Sequence, residues 1–259
     1  MKKVSIKTIL TFALTLIVGT SFGQIKLLKG VRDNMMDDRF KDLKLAKYEI
    51  DKVMLDPDTK DLCASFAWKG VVYSDIALST DEEILALDAD GTAAKQAGEA
   101  FLKYFACGEE EQERYDAKEA AKIYLTYAGI ACFNKGIQAS DQKGNFNVVK
   151  DYMTIVDKLM AYDKDEKLKG NNVSSEKANY LIWRAAYIDS LVDQEIIYLQ
   201  KLMDYPSYMN SDVFVRMAEI YSARKEYEKA MGFLEKGKAK IPQKSSSFLD
   251  MQINIEIDR

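Results

Sequence analysis

Acidic side chains and cysteines are the residues of this sequence that could do chemistry, because none of its 259 residues is histidine. The absence of histidine removes the commonest general base, the Ser-His-Asp and Cys-His catalytic arrangements, and the most frequent transition-metal ligand. The sequence also lacks the glycine-rich strings that cradle phosphate groups. We therefore expect a protein that is not an enzyme, with no catalytic residue and no cofactor.

The cysteines are odd in number and include no C-x-x-C pair; they are Cys63, Cys107 and Cys132. With this number and spacing of cysteines, we expect neither a disulfide framework nor a zinc site. Cys63 and Cys132 lie in apolar helical runs, where a free thiol usually behaves as a small buried hydrophobe. The sequence therefore predicts free buried thiols there, with a structural disulfide bridge as the alternative.

Two kinds of acidic segment could in principle form ion-binding or catalytic sites. Asp88-Ala89-Asp90-Gly91 matches the middle of a calcium loop, but the first and last ligand positions of that loop fall on Ala86 and Ala97. We expect this segment to cap the helix that follows it. The acidic runs Asp37-Asp38 and Glu109-Glu110-Glu111 are interpreted as solvated surface, since charge runs usually are. No metal site is predicted.

The amino-terminal segment has the order of features of a secretory signal peptide: lysines, then the apolar run 9–18, then small residues. Ser21 and Gly23 lie three residues and one residue before a bond to Gln24, as a signal peptidase site requires. A short membrane anchor is the alternative, but the apolar run falls short of the ~20 residues that span a bilayer. We expect residues 1–23 to be a signal peptide and the mature chain to be periplasmic or secreted.

The charge of the mature chain bears on its partners. Removing residues 1–23 deletes three lysines and no acid from 37 basic and 41 acidic side chains, which leaves 34 basic and 41 acidic side chains and a net charge of −7. An acidic surface repels phosphate backbones, so nucleic-acid binding is disfavoured. After cleavage no integral membrane span is expected.

Residues 211–242 have the residue spacing of two helices joined by a tight turn. Apolar and small residues recur at intervals of three and four from Phe214 to Tyr221, and again from Tyr227 to Gly237, as on one face of a helix. A capping serine precedes the first helix and a proline ends the second. The residues of the pattern are Ser211, Phe214, Met217, Ala218, Tyr221, Tyr227, Ala230, Met231, Leu234, Gly237 and Pro242, with the turn at Arg224-Lys225-Glu226.

This pattern resembles that of tetratricopeptide repeats, which is W-x-x-L-G-x-x-Y, then A-x-x-x-F, then P. The matching strings are Phe214-x-x-Met217-Ala218-x-x-Tyr221, Ala230-x-x-x-Leu234 and Pro242. The resemblance implies an all-α fold, an α-solenoid of stacked antiparallel helix hairpins over residues 24–259. It also implies that Ala218 and Ala230 lie where the two helices of a hairpin approach closely.

Weaker copies are expected upstream, because one hairpin cannot bury its apolar face alone. A first unit would begin near Met35, and a solitary capping helix or the start of a further repeat would occupy 245–259. Between them the resemblance extends to Ala46-x-x-x-Ile50 with Pro57, to Phe66-x-x-Lys69-Gly70-x-x-Tyr73 with Ala97-x-x-x-Phe101, to Ala117–Ala139 with Val148–Met160, and to Ser174–Leu202 with Pro206.

The resemblance implies a scaffold that holds a peptide, a helix or a protein surface in a concave groove, with no particular partner indicated. An exported glycan- or small-ligand-binding protein is the alternative. Trp68 and Trp183 could stack on a sugar, but core packing is the commoner fate of such residues. In the resembled family the groove is lined by the first helix of each unit, which here gives Ala67, Val71, Ser74, Asp75, Val215, Glu219, Ser222 and Ala223.

Some members of that family clamp a terminal carboxylate with a Lys and an Arg four residues apart. Arg216 stands at the Arg position here, but Asp212 occupies the Lys position and would repel a carboxylate. We therefore expect no carboxylate clamp and a groove that holds its partner by shape and burial. The alternative for Val71 and Val215 is that they only pack against neighbouring units.

The first prediction concerns export. Intact-mass analysis of the protein purified from its own cells should show a chain that begins at Gln24, recovered outside the cytoplasm. A species that retains Met1 or Lys2, or a chain confined to the cytosol, would contradict it.

Overall fold

The structure is a computed structural model that describes residues 25–36, 42–113, 117–205, 211–242 and 245–258. Regular structure within these ranges is entirely helical, which confirms the all-α prediction. The signal segment 1–23 and its cleavage site lie outside the described residues, as do Asp37-Asp38 and Pro206.

Fourteen α-helices occur in the described ranges, and we number them in chain order. Helix α1 covers 25–36. A short 3-10 helix, Ala86–Asp88, lies between α4 and α5. The other helices are α2 Leu43–Leu55, α3 Cys63–Leu78, α4 Glu82–Leu85, α5 Ala93–Phe105, α6 Glu109–Gln112, α7 Ala117–Ser140, α8 Phe146–Met160, α9 Lys167–Gly170, α10 Ser175–Ile188, α11 Val192–Leu202, α12 Ser211–Ala223, α13 Tyr227–Lys240 and α14 Ser245–Asp258.

Contacts divide the chain into two compact units. Unit 1 comprises Met1–Cys132 with Ile155–Asn172, and unit 2 comprises Phe133–Thr154 with Val173–Arg259. Helices α7 and α8 each contribute residues to both units.

Helix α3 is the buried centre of unit 1 and packs against α2 and α5. Gly70 of α3 makes the close approach to α5 possible, because a Cβ atom there would lie 2.7 Å from the ring of Phe101. Ala97 of α5 is also fully buried. The predicted contact between the Gly70 segment and the Ala97–Phe101 segment is therefore confirmed.

The first hairpin begins earlier than predicted. Its first helix is α1 over 25–36, so the expectation of a unit starting near Met35 is wrong. A Cβ atom at Gly30 would lie 2.8 Å from a carboxylate oxygen of Glu49 in α2, and Asn34 donates a hydrogen bond of 3.0 Å to the same carboxylate. Helix α1 also buries Leu28, Val31 and Met35, which recur at the spacing of one helix face.

A disulfide joins Cys63 and Cys107, with their Cα atoms 6.3 Å apart. The expectation of a free buried thiol at Cys63 is therefore wrong, whereas Cys132 is the buried free thiol that the sequence predicted. The pairing was not visible in the sequence because 44 positions separate the two cysteines, and only the packing of α3 against α5 and α6 brings them together.

The acidic segment before α5 caps that helix, as expected. Asp88 accepts a hydrogen bond of 2.7 Å from the Ala93 amide, and Asp90 accepts bonds from the amide and hydroxyl of Thr92 at 3.1 and 2.8 Å. Both carboxylates thus satisfy donors at the start of α5.

Unit 2 contains two successive hairpins with the same connection. Helices α10 and α12 both end in a Schellman motif, with Ser190 at φ 56° and Lys225 at φ 59° in the left-handed position that follows the helix. In the first, the Leu191 amide bonds to the Ala186 carbonyl; in the second, the Glu226 amide bonds to the Tyr221 carbonyl. The two left-handed residues are 35 positions apart, and so are the ends of α10 and α12 and the starts of α11 and α13.

The hairpin α12–α13 and helix α14 share one apolar cluster with α11 in unit 2. Ala218 and Ala230 have no exposed surface, and a Cβ atom at Gly237 would lie 2.5 Å from the ring of Phe248 in α14. Helix α14 packs on α12 and α13, an arrangement that both a capping helix and the first helix of a further repeat would have. Its opposite face is apolar, with exposed Leu249, Ile253 and Ile257.

The second prediction tests the close contact between α12 and α13. Ala218→Trp and Ala230→Trp should each lower the unfolding free energy by roughly 1–3 kcal/mol or more, because neither site has room for a ring. Lys225→Ala, in the exposed turn of the same hairpin, should stay within about ±0.5 kcal/mol. Equal denaturant midpoints for all three variants would contradict the contact.

Candidate functional site

The groove residues predicted on α3 are largely buried. Ala67, Val71 and Ser74 have almost no exposed surface, and the Ser74 hydroxyl donates to the Gly70 carbonyl at 2.7 Å. Asp75 is partly exposed and accepts a hydrogen bond of 3.1 Å from the hydroxyl of Tyr124 in α7. Val71 is therefore a packing residue of unit 1. Of these four residues, Asp75 alone has exposed surface that a partner could contact.

The groove residues predicted on α12 are more accessible. Glu219 and Ala223 are exposed, while Val215 and Ser222 are partly buried. Val215 packs against the apolar core of unit 2. The structure thus brings the α12 residues together on an open side of the helix.

Beside them runs a row of aromatic side chains on α10. The ring centroids of Tyr180 and Trp183 lie 5.3 Å apart, and those of Trp183 and Tyr187 lie 6.2 Å apart. The guanidinium of Arg216 from α12 lies 5.0 Å from the centre of the Tyr187 ring, which is 52% exposed. We call Tyr180, Trp183, Tyr187, Arg216 and Glu219 the aromatic–arginine face.

A buried carboxylate on α11 holds this face together. Glu195 is 1% exposed and accepts two hydrogen bonds from Arg216, at 2.7 and 3.1 Å. The Trp183 indole N–H donates to the same carboxylate at 3.4 Å. Arg216 also donates to Glu219 at 2.9 Å. Hydrogen bonding to Glu195 raises the pKa of the Arg216 guanidinium above its ordinary value, so Arg216 stays charged.

Glu195 was missed in the sequence, although a signal for it exists. When the two hairpins of unit 2 are aligned with the offset of 35, Trp183 falls on Ala218 and Glu195 falls on Ala230. The small-residue contact of the α12–α13 hairpin is thus replaced in α10–α11 by an indole hydrogen-bonded to a carboxylate. A buried acid needs a cationic or hydrogen-bonding partner, and Arg216 of the next hairpin provides one.

The local charge argues against a carboxylate clamp. Arg216 is already paired with Glu195 and Glu219, so its single positive charge faces two negative ones. Asp212, at the position where the clamp needs a Lys, is exposed. This pairing is a second reason, besides Asp212, to expect that the face does not bind a terminal carboxylate.

Unit 1 contains a separate cavity of about 700 Å³. One wall is aromatic, because the rings of Phe105 and Tyr162 stack with their centroids 5.0 Å apart, and Tyr104 meets the Phe105 ring edge to face. Burial raises the pKa of Tyr104 to about 12, and its hydroxyl donates to the Gln112 carbonyl at 3.0 Å. The lysines that line the cavity are Lys118, Lys122, Lys164 and Lys167.

The lysines of the cavity are balanced by nearby acids. Lys118 pairs with Glu113 at 2.7 Å, and Lys122 pairs with Glu119 at 2.7 Å. Hydrogen bonding to Glu113 raises the pKa of Lys118. The cavity therefore offers aromatic surface and polar groups without a strong net charge.

Comparisons with protein-family models, with curated protein sequences and with solved structures find no match to this chain. Among the described residues, no helix has both the length and the hydropathy that a membrane span needs.

The third prediction concerns the buried carboxylate. Arg216→Met should lower the unfolding free energy by about 3–5 kcal/mol, because it leaves Glu195 buried without its cation. Adding Glu195→Leu to that variant should recover much of the loss, since an apolar pair of similar volume removes the unpaired charge.

The matched control is Arg224→Met. Arg224 pairs with Asp193 of α11 at 2.7 Å, but Asp193 is 86% exposed, so this variant should melt at nearly the wild-type temperature. Equal losses for Arg216→Met and Arg224→Met would contradict the assigned role of Glu195.

Proposed function

We propose that this protein is a non-enzymatic scaffold of the cell envelope, and that the aromatic–arginine face of unit 2 holds a segment of another protein. The observation that carries the proposal is the exposed Tyr187 ring, fixed by Arg216 over a buried Glu195. Tyrosine, tryptophan and arginine are the residue types that dominate binding energy at protein interfaces.

The proposal includes the tetratricopeptide-like arrangement that the sequence resembles. Two hairpins related by 35 residues support it, because tetratricopeptide units are about 34 residues long. In such an arrangement the first helices of the hairpins, here α10 and α12, line the concave side. Periplasmic or secreted localisation follows from the predicted signal peptide and belongs to the same proposal.

The chemistry of the face indicates what kind of segment it holds. Aromatic rings and Val215 offer apolar contact, and Glu219 and Asp212 offer exposed negative charge. A helix or an extended segment that presents apolar side chains together with a lysine or arginine fits this surface. A terminal carboxylate does not, because it would face both acids.

A rigid surface is an advantage for such binding. The bidentate Glu195–Arg216 pair fixes the guanidinium, and the guanidinium in turn supports the Tyr187 ring. Less side-chain entropy is then lost when a partner binds.

The fourth prediction is that a photo-crosslinking residue at Tyr187 captures a defined protein in the envelope of the cells that make this chain. The same residue at Lys236, an exposed position on α13, should capture little of that protein. Tyr187→Ala should then weaken binding of the captured protein by at least tenfold, as expected for an interface hot spot.

Tyr162→Ala separates this function from its alternative. Tyr162 lines the cavity of unit 1, which favours binding of a glycan or another small ligand as the second candidate function. Tyr162→Ala should leave protein binding unchanged. A thermal shift with carbohydrates that Tyr162→Ala abolishes, together with no protein captured at Tyr187, would favour the second candidate over the scaffold.

A further inference from the structure

The disulfide of unit 1 lies against a carboxylate that the function proposed above does not use. Glu111 of α6 places an oxygen 3.0 Å from the Cys63 sulfur. A disulfide sulfur has no proton to donate, so this approach gains no hydrogen bond in the oxidised chain. A short distance between the Cys63 sulfur and the Glu111 oxygen is favourable when the sulfur carries a proton or when both atoms bind the same cation.

Three ligand atoms converge at this point. The sulfurs of Cys63 and Cys107 and a carboxylate oxygen of Glu111 all lie within 4.8 Å of one another. Cys63 is buried, Cys107 is partly buried and Glu111 is exposed, so the group opens to solvent on one side.

We propose that the reduced form of this group binds one thiophilic divalent metal ion, Zn²⁺ or Cd²⁺, through both thiolates and the Glu111 carboxylate. Thiolate and carboxylate are both ordinary zinc ligands, and three protein ligands leave the fourth tetrahedral position to water. The sequence predicted no metal site because the two cysteines are far apart in the chain.

A phosphine can reduce this disulfide, with water supplying the oxygen atom and the protons. The phosphine takes one oxygen atom from water to become a phosphine oxide, the S–S bond breaks, and each sulfur gains a proton. The metal ion then displaces both thiol protons to solvent and binds the two thiolates. Disulfide and metal are therefore mutually exclusive states of the same two sulfurs.

Both states link the same parts of unit 1. Cys63 begins α3, whereas Cys107 lies between α5 and α6, next to the cavity. Gln112 of α6 donates to the Cys107 carbonyl at 2.8 Å, so a link at Cys107 also steadies α6. We expect metal binding to restore part of the thermal stability that reduction removes.

The test uses the full protein, reduced with a phosphine and freed of it without oxygen, then titrated with Cd²⁺ alone. The reduced protein should bind one Cd²⁺, with thiolate-to-cadmium charge-transfer absorption and a raised melting temperature. Oxidised wild-type protein, which keeps the native fold, should show neither signal. Reduced protein that binds no more Cd²⁺ than oxidised protein would overturn the proposal.

Variants locate the site. Glu111→Gln should weaken Cd²⁺ binding by at least tenfold, whereas Glu110→Gln, on the same exposed helix, should not change it. Cys107→Ser should abolish the charge-transfer absorption. Equal Cd²⁺ affinity in Glu111→Gln and Glu110→Gln would remove Glu111 from the site, and full absorption in Cys107→Ser would place the metal elsewhere.

Discussion

The Glu195 carboxylate is the group on which the surface of unit 2 depends. A carboxylate that is 1% exposed is costly to bury, and the cost is offset only when hydrogen bonds and a cation compensate it. Arg216 and Trp183 supply both, one from the next hairpin and one from its own. Because the compensation comes from two helices, α10 and α12 are fixed to α11 at the same point. The exposed Tyr187 ring lies over that point, on the guanidinium.

The Arg216–Glu195 ion pair differs from the surface ion pairs in how much it contributes to stability. Most other ion pairs in the described residues are solvent-exposed pairs such as Lys122–Glu119, in which water screens the attraction and little stability is gained. Breaking a buried pair by removing one partner costs several times more. The Arg216–Glu195 pair therefore fixes a position, whereas the exposed pairs mainly add charge to the surface.

Close helix contacts follow a common steric rule in both units. A residue without a bulky side chain stands where a large side chain of the facing helix enters, as Gly70 does before Phe101 and Gly237 before Phe248. Gly136 in α7 stands in the same relation to Met153 in α8. Gly70, Gly136 and Gly237 could be picked out in the sequence because they lie in segments that resemble the tetratricopeptide pattern. That resemblance predicted the hairpin partners α3–α5, α7–α8 and α12–α13.

What the sequence did not predict depends on contacts between distant residues. The disulfide needs Cys63 and Cys107 brought together by packing, and no local pattern encodes that meeting. The burial of Val71 follows from α2 and α5 covering α3 on two sides, which a single repeat pattern does not contain. No expectation was attached to Glu195 in the sequence, because its burial becomes visible only when its hairpin is aligned with the next one.

The most direct test of the account is hydroxyl-radical footprinting of the protein with and without its captured partner. Oxidation of Tyr187 and Trp183 should fall when the partner is bound. Oxidation of Tyr48, an exposed tyrosine of unit 1, should stay the same. Unchanged oxidation of Tyr187 with protection at Tyr162 or Tyr48 instead would contradict the claim that the aromatic–arginine face is the binding surface.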